Sequence, residues 1–460
     1  MASVYVKTLG CKVNTFDSHA IENQFRRRGW SVTDKADGAD VTVINSCSVT
    51  SSAEKEARYL LRRYRRENPG ATLVVAGCYA QTNSGRLIEM PEVDLVIPNE
   101  IKDSLVEVVE RRRTPQFADR DIRTAPASKL PEEVSAVTDN RQTHFKSSIT
   151  LFDSAASSQT RAFVKIQDGC NGFCAYCLIP YARGASRSVP RHQVLDECSR
   201  LIAQGVQEIV LTGIHVGDYG EDFSSSNDEV THQFAGLVAE ILALPGLGRI
   251  RISSLEPNEV SDELLKVLAA SPEKVCDHFH LPLQSGCDSV LKRMRRTYKS
   301  SEYAERVARI RHFFPMASIG ADVIPGFPGE TAEEFEETVA FIESIGLSYL
   351  HVFPYSSRPN TTAARMPGHL SPDVIKARAA RLRKSSTTLL DQYSRQFLGA
   401  QVRVLWESDV DGQGRRMGTA RNYLKVTASR HASAVTGKEV TVLLKGFIDE
   451  GRMLGQPISE

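Results

Sequence analysis

The chain has no run of 18 or more apolar residues, which excludes an apolar membrane-spanning helix. Cysteine is scarce for a secreted scaffold: nine in 460 residues fall far below the density that staples small extracellular domains. The first nine residues, Met1 to Leu9, lack the charged and apolar regions of a signal peptide. A cytoplasmic, reducing location is therefore expected, and grouped cysteines read as metal ligands. An excess of either charge is also missing. Lys and Arg number 57 against 56 Asp and Glu, a net charge of +1, so no whole-protein field draws the chain onto nucleic acid, and an anionic partner must be held by local patches. No fixed-period repeat marks a solenoid or propeller. What is present is ordinary globular composition, 41% hydrophobic and 25% charged, at a length that suggests about three domains.

Between Val4 and Arg113 short apolar runs alternate with helical patterns, which predicts an α/β fold with an open parallel sheet. Strands are expected at Val4 to Lys7, Val41 to Asn45, Thr72 to Ala76 and Leu95 to Pro98, and a first helix from near Asn14 to Gly29. Cys11, Cys47 and Cys78 each follow one of the first three strands, the sheet edge where ligands bind. Thr114 to Thr160 is rich in Ser, Thr, Pro, Asp and Arg without a period and reads as a linker. Strand-like runs then recur at Phe163 to Gln167, Glu208 to Thr212, Arg249 to Ser253, Phe279 to Leu283, Ile319 to Ile324 and Tyr349 to Phe353. Six βα units predict a partial parallel (β/α)6 barrel over 161–390. A polar helix from Pro372 to Leu398 leads to a small β-barrel over 395–457, with alternating segments at Val402 to Trp406 and Val440 to Leu444.

The strongest signal is Cys170-x-x-x-Cys174-x-x-Cys177, directly after the first barrel strand. Three thiolates with no fourth nearby can hold three irons of a cubane and leave the fourth open to a small molecule. Structural zinc sites close with four ligands, so zinc fits this spacing poorly. Cys11, Cys47 and Cys78 are individually weak, since a lone cysteine is often a small buried hydrophobe. Their shared placement at strand ends makes a second trio. Cys198, Cys276 and Cys287 lack partner spacing and read as structural.

The CxxxCx(aromatic)C loop, with Tyr176 as the aromatic, resembles the radical S-adenosylmethionine enzymes. Together with the N-terminal trio and the small C-terminal barrel, nearly the full chain resembles the methylthiotransferases. That resemblance implies an N-terminal methylthiotransferase domain over 1–113, a radical domain and a TRAM RNA-binding domain. It implies two [4Fe-4S] clusters, one on Cys170, Cys174 and Cys177 that binds S-adenosylmethionine, and an auxiliary one on Cys11, Cys47 and Cys78 that carries the sulfur to be inserted. It also implies two S-adenosylmethionine molecules per turnover: one methylates that sulfur, and the other yields the 5′-deoxyadenosyl radical that removes the C2 hydrogen. No general base is required, and none is assigned.

By the same resemblance Gly213, Glu256, Gln284, Asp322 and Ile324 join Tyr176 in the cofactor pocket, and Arg295 is the preferred arginine of the Lys292 to Arg296 cluster. Pro325 stands where a small aliphatic residue is expected. In the tail Arg415, Arg416, Arg421, Asn422, Tyr423 and Lys425 interleave cations with an aromatic, the mix that contacts phosphate and stacks on bases. The phrase Thr8-Leu9-Gly10-Cys11-Lys12-Val13-Asn14 looks like the branch that converts N6-threonylcarbamoyladenosine at position 37 of tRNA to its 2-methylthio derivative. The expected partners are a tRNA anticodon stem-loop and an electron donor such as flavodoxin or ferredoxin, with no membrane and a monomeric enzyme. Alternatives are isopentenyladenosine tRNA, a ribosomal-protein side chain, or a noncatalytic iron-sulfur RNA-binding protein.

Overall fold

Val41–Ser46 is buried at all six positions, as a strand covered on both faces must be, and it forms β3 at the middle of a five-stranded parallel sheet. The computed structural model describes residues 1–113, 160–223, 227–428, 435–449 and 451–458, so the expected linker lies outside the described residues except for Thr160. The chain divides into two compact units, one of residues 1–155, 167–173 and 177–189, the other of residues 156–166, 174–176 and 190–460.

In the first unit the strands are β1 (Ser3–Thr8), β2 (Ser31–Thr33), β3, β4 (Thr72–Gly77) and β5 (Leu95–Ile97), in the order β2-β1-β3-β4-β5. Helices α1 (Lys12–Arg27) and α3 (Leu105–Arg113) cover one face, where Ile21, Phe25, Leu105 and Val109 pack on Val4, Val43 and Val74. Helix α2 (Ser51–Glu67) covers the other with Ala57, Leu60 and Leu61 against Ile44, Leu73 and Val75. Each of these Val, Leu, Ile and Phe side chains stabilises the layer by about 1.5–3 kcal/mol. The strand order reverses between β1 and β3, and the crevice at their C-terminal ends is where doubly wound sheets bind ligands. The edge strand β2 is the one element of this sheet that the apolar pattern does not announce.

In the second unit β6 (Arg161–Lys165), β9 (Glu208–Thr212) and β10 (Arg249–Ile252) form one parallel sheet. A second comprises β11 (His278–His280), β12 (Ser318–Val323) and β13 (Tyr349–Val352). Parallel bridges Ile250–Val275 and Ser254–His280 join the two, so six parallel strands run side by side as an open half-barrel. The short pair β7 (Gln167–Asp168) and β8 (Arg187–Ser188) belongs to the first unit. A helix over Pro372–Arg395 leads into a closed barrel of β14 (Gln401–Val410), β15 (Arg416–Ala420), β16 (Lys425–Ala428), β17 (Glu439–Asp449) and β18 (Arg452–Pro457). Its core is Trp406, Val404, Val426, Val442, Leu444 and Met453, and Tyr393 and Phe397 pack with it.

The closed barrel sits on the half-barrel through a buried ionic network. Glu208 of β9 accepts from Arg249 Nε at 2.6 Å and from Arg251 Nε at 2.9 Å. Arg249 also reaches Glu439 of β17, which pairs with Arg421, while Arg251 donates to the Arg421 and Ala420 carbonyls. Burial opposes the Glu208 charge, but the two guanidinium groups outweigh it and hold its carboxyl far below the ordinary range.

Candidate functional site

The first trio is built on the β2-β1-β3-β4-β5 edge. Cys11 is the N-cap of α1, Cys47 directly follows β3, and Cys78 directly follows β4. The turn from β1 into α1 needs Gly10: its φ is +102°, and a Cβ there would stand 2.6 Å from the Cys47 Cβ and 2.9 Å from its Sγ. Asn14 ties the turn to β3, donating to the Leu9 carbonyl at 2.7 Å and the Ser46 carbonyl at 3.1 Å, and Asn45 returns a bond to the Asn14 carbonyl. Burial pushes the Cys47 thiol up to about 11, with the nearby Cys78 and Cys11 adding to the rise and Arg183 opposing it. Asn99 Nδ2 approaches the Cys78 Sγ at 3.6 Å.

Arg183 is the residue sequence reasoning missed here. It follows Cys177 by six positions, at the end of the short helix Ile179–Arg183, and is 2% exposed. Its guanidinium donates to Asn14 Oδ1 at 2.6 Å, Asp17 Oδ2 at 3.0 Å and Asp168 Oδ1 at 2.9 Å. Burial disfavours its charge, but Asp168, Cys78, Asp17 and Cys11 hold the proton on. A buried cation facing three thiols fits a site that must hold thiolates: three sulfur donors, no imidazole or carboxylate among them, and a compensating positive charge suit an iron-sulfur cluster.

The second trio is shaped by its backbone. Gly169 has φ +77°, and a Cβ there would run into the Ala185 carbonyl oxygen at 1.9 Å. The Cys170 Sγ accepts from the Gly172 amide at 3.3 Å and the Cys177 Sγ from the Ile179 amide at 3.4 Å. Ala175, between Cys174 and Cys177 in sequence, donates to the Met294 carbonyl and accepts from the Ala363 amide. Tyr176 packs beside Val290, Met294, Phe327 and Tyr355. The Cys174 Sγ accepts from Arg296 Nη1 at 3.2 Å. Hydrogen bonds to sulfur tune a cluster, so these three thiols and their donors would suit an iron-sulfur cluster.

Arg295 and Arg296 differ from expectation. Arg295 is exposed, at φ +60°, whereas Arg296 is nearly buried and joins Cys174 to Glu256 and Tyr298. The guanidinium beside the cluster loop is therefore that of Arg296, because the left-handed turn at Arg295 sends its neighbour inward. Gly213 lies directly past β9, half-buried. Glu256 also donates its amide to Glu259, which closes a capping box. Gln284 holds φ +66°, and its buried Oε1 has no hydrogen-bond partner among the described residues. Ile324 donates to the Gln284 carbonyl, and Asp322 Oδ1 takes His280 Nε2 at 2.8 Å. Pro325 accepts from the Tyr355 amide.

In the tail the six expected RNA residues separate. Arg415 pairs with Asp411, and Arg416 bonds Thr436 on the same barrel. Arg421 pairs with Glu439, Asn422 is buried, and Lys425 donates to Thr419 at 2.8 Å. Tyr423, at φ +70°, stacks on His278 with ring centroids 4.3 Å apart and lies under Arg251 and Lys425. Burial brings the Lys425 ammonium down to about 8. All six side chains are engaged with the half-barrel or with their own barrel, a role invisible in a local pattern of cations and an aromatic.

Two family models match the chain: Uncharacterized protein family UPF0004 over residues 3–98 and the Radical SAM superfamily over residues 164–342. The chain is 37% identical over 461 residues to the threonylcarbamoyladenosine tRNA methylthiotransferase MtaB of Bacillus subtilis (strain 168), covering 99% of this chain and 97% of that one. It is 36% identical to the protein of that description from Aquifex aeolicus (strain VF5), covering 96% and 100%. It is 35% identical to a tRNA-2-methylthio-N(6)-dimethylallyladenosine synthase of Anaeromyxobacter dehalogenans (strain 2CP-C), covering 95% and 91%. Among solved structures it resembles the radical S-adenosylmethionine methyltransferase TsrM of Kitasatospora setae, with a TM-score of 0.53 at 15% identity over 79% and 77% of the two chains, a likeness of fold.

Proposed function

Because the chain belongs to the radical S-adenosylmethionine tRNA methylthiotransferase family of these relatives, we propose that it converts N6-threonylcarbamoyladenosine at position 37 of tRNA to the 2-methylthio derivative. The observation that carries this reading is the pair of separate cysteine trios, one on the N-terminal sheet edge and one on the loop after β7, joined to 37% identity, in an alignment covering 99% of the chain, with a protein of that description. Two [4Fe-4S] clusters are assigned, on Cys11, Cys47 and Cys78 and on Cys170, Cys174 and Cys177. Bound there with S-adenosylmethionine, they supply one-electron cleavage of the sulfonium and a sulfur that can be methylated and transferred.

The protein's own part is to hold and shield. Arg183 neutralises charge beside the first trio, and Arg296 donates to the second. Tyr176, Gly213, Glu256, Gln284, Asp322 and Ile324 line the expected S-adenosylmethionine pocket, with the unpartnered Gln284 Oε1 as an acceptor for a ligand N–H or O–H. The closed C-terminal barrel is assigned as a TRAM domain that contacts RNA along the Arg415 and Arg416 edge, with Arg421, Asn422, Tyr423 and Lys425 fixing the loop behind. Residues 1–113, 161–390 and 395–457 are the three functional domains, 114–160 the linker. The enzyme acts in the cytoplasm as a monomer, reduced by a flavodoxin or ferredoxin.

The test is anaerobic. Reconstituted protein with a reductant, S-adenosylmethionine and an anticodon stem-loop carrying threonylcarbamoyladenosine should release 5′-deoxyadenosine and add a methylthio group, read by mass spectrometry. Modification of a dimethylallyladenosine loop alone, or of a ribosomal protein alone, contradicts the substrate. Absence of S-adenosylmethionine cleavage with both clusters present supports a noncatalytic iron-sulfur protein.

A further inference from the structure

The inner face of β11, β12 and β13 is polar where the outer face is apolar. Phe279, Ile319, Ala321, Val323 and Leu350 are buried toward the helices. By strand alternation His278, His280, Asp322, Tyr349 and His351 share the other face, and their contacts agree. The Tyr349 hydroxyl meets His278 Nε2 at 2.8 Å, the His280 and His351 rings lie 5.2 Å apart, and so do the Tyr349 and His351 rings. Gly320 leaves room for this: a Cβ there would stand 2.2 Å from the Tyr349 ring.

One end of the face is closed. Tyr423 of the C-terminal barrel stacks on His278, the first residue of β11, and its ring is 6.4 Å from that of Tyr349, the first of β13. The other end lies toward the C-terminal ends of the strands, where such barrels carry out chemistry. There His351 is exposed, and Phe353 keeps 40% of its surface exposed, with the rings 6.5 Å apart. An aromatic plane next to imidazole hydrogen-bonding groups suits a flat base that carries a polar substituent.

The relatives of this chain act on two kinds of adenosine. A threonylcarbamoyl substituent brings a carboxylate, a hydroxyl and a urea, whereas a dimethylallyl substituent is hydrocarbon. A site built to hydrogen-bond a polar substituent rejects an analogue that leaves those groups unpaired. Resting on the functional reading above, we propose that His351 recognises the threonylcarbamoyl substituent, with Phe353 under the base and the Asp322–His280–Tyr349 chain positioning the imidazoles. This residue then sets the preference over dimethylallyladenosine.

The experiment measures binding of the reconstituted full-length chain to fluorescent anticodon stem-loops with threonylcarbamoyl-, dimethylallyl- or unmodified adenosine. His351→Leu is expected to weaken binding of the threonylcarbamoyl loop by about tenfold or more, with the unmodified loop changed by less than about twofold. His351→Asn, which keeps a donor, should recover part of the loss. Equal weakening of all three loops by His351→Leu, or an unchanged preference in both variants, overturns the inference while leaving the function intact. A wild-type protein that does not distinguish the threonylcarbamoyl loop from the other two overturns the functional reading and this inference with it.

Discussion

Arg296 donates from Nη1 to the Cys174 Sγ at 3.2 Å while its other terminal nitrogen pairs with Glu256. A cation that bonds a cluster thiolate stabilises the reduced, more negative state, so Arg296→Gln should lower the reduction potential of the radical cluster and make it harder to reduce. Arg295→Gln, on the exposed neighbour, should leave the potential in place. Spectroelectrochemistry of the two variants separates them, and equal shifts would contradict the assignment.

Gly10→Ala should disable the first trio alone. The new Cβ meets Cys47 at 2.6 Å from a backbone at φ +102°, a conformation that costs a non-glycine residue about 1–3 kcal/mol. Iron should fall to about four atoms per chain, with the S-adenosylmethionine-binding cluster retained. Full iron loading of the variant would show that the turn is not needed.

Glu208→Gln leaves the buried Arg251 without its carboxylate and Arg249 with Glu439 alone, which should cost about 3–5 kcal/mol, read as a lowered unfolding midpoint. The pH dependence has a definite sign. A carboxyl held below its ordinary value contributes stability above the unfolded pKa of about 4.3, and that stability is lost as the pH falls toward the folded value. The wild type should therefore lose stability below about pH 4 more steeply than the variant. Parallel acid limbs would contradict the network.

Tyr423→Ala removes the His278 stack and the faces under Arg251 and Lys425, and should destabilise the chain by about 2–4 kcal/mol, with faster proteolytic release of the C-terminal barrel. Unchanged stability with weakened RNA binding would instead make Tyr423 an RNA contact.

The parallel framework is legible in the sequence because β3, β4 and β9 are short apolar runs followed by helical periods, and because Cys170, Cys174 and Cys177 lie close in the chain. Strand β2, with three half-buried residues at an edge, leaves no such trace. Arg183 and Arg296 are hidden for another reason: their partners Asn14 and Glu256 lie 169 and 40 residues away, and only folding brings them together. Tyr423 and Lys425 look like an RNA surface locally, yet the φ of +70° at Tyr423 and the buried arginines of β10 turn them toward the half-barrel.

If the two trios hold two different clusters, each can be removed without the other. Iron analysis with Mössbauer and EPR spectroscopy of the wild type, Cys47→Ala and Cys170→Ala tests it most directly. The wild type should carry about eight irons and each variant about four, with S-adenosylmethionine perturbing the EPR signal of Cys47→Ala but not that of Cys170→Ala. Loss of the same spectral component from both variants, or a wild type with a single cluster, would contradict it.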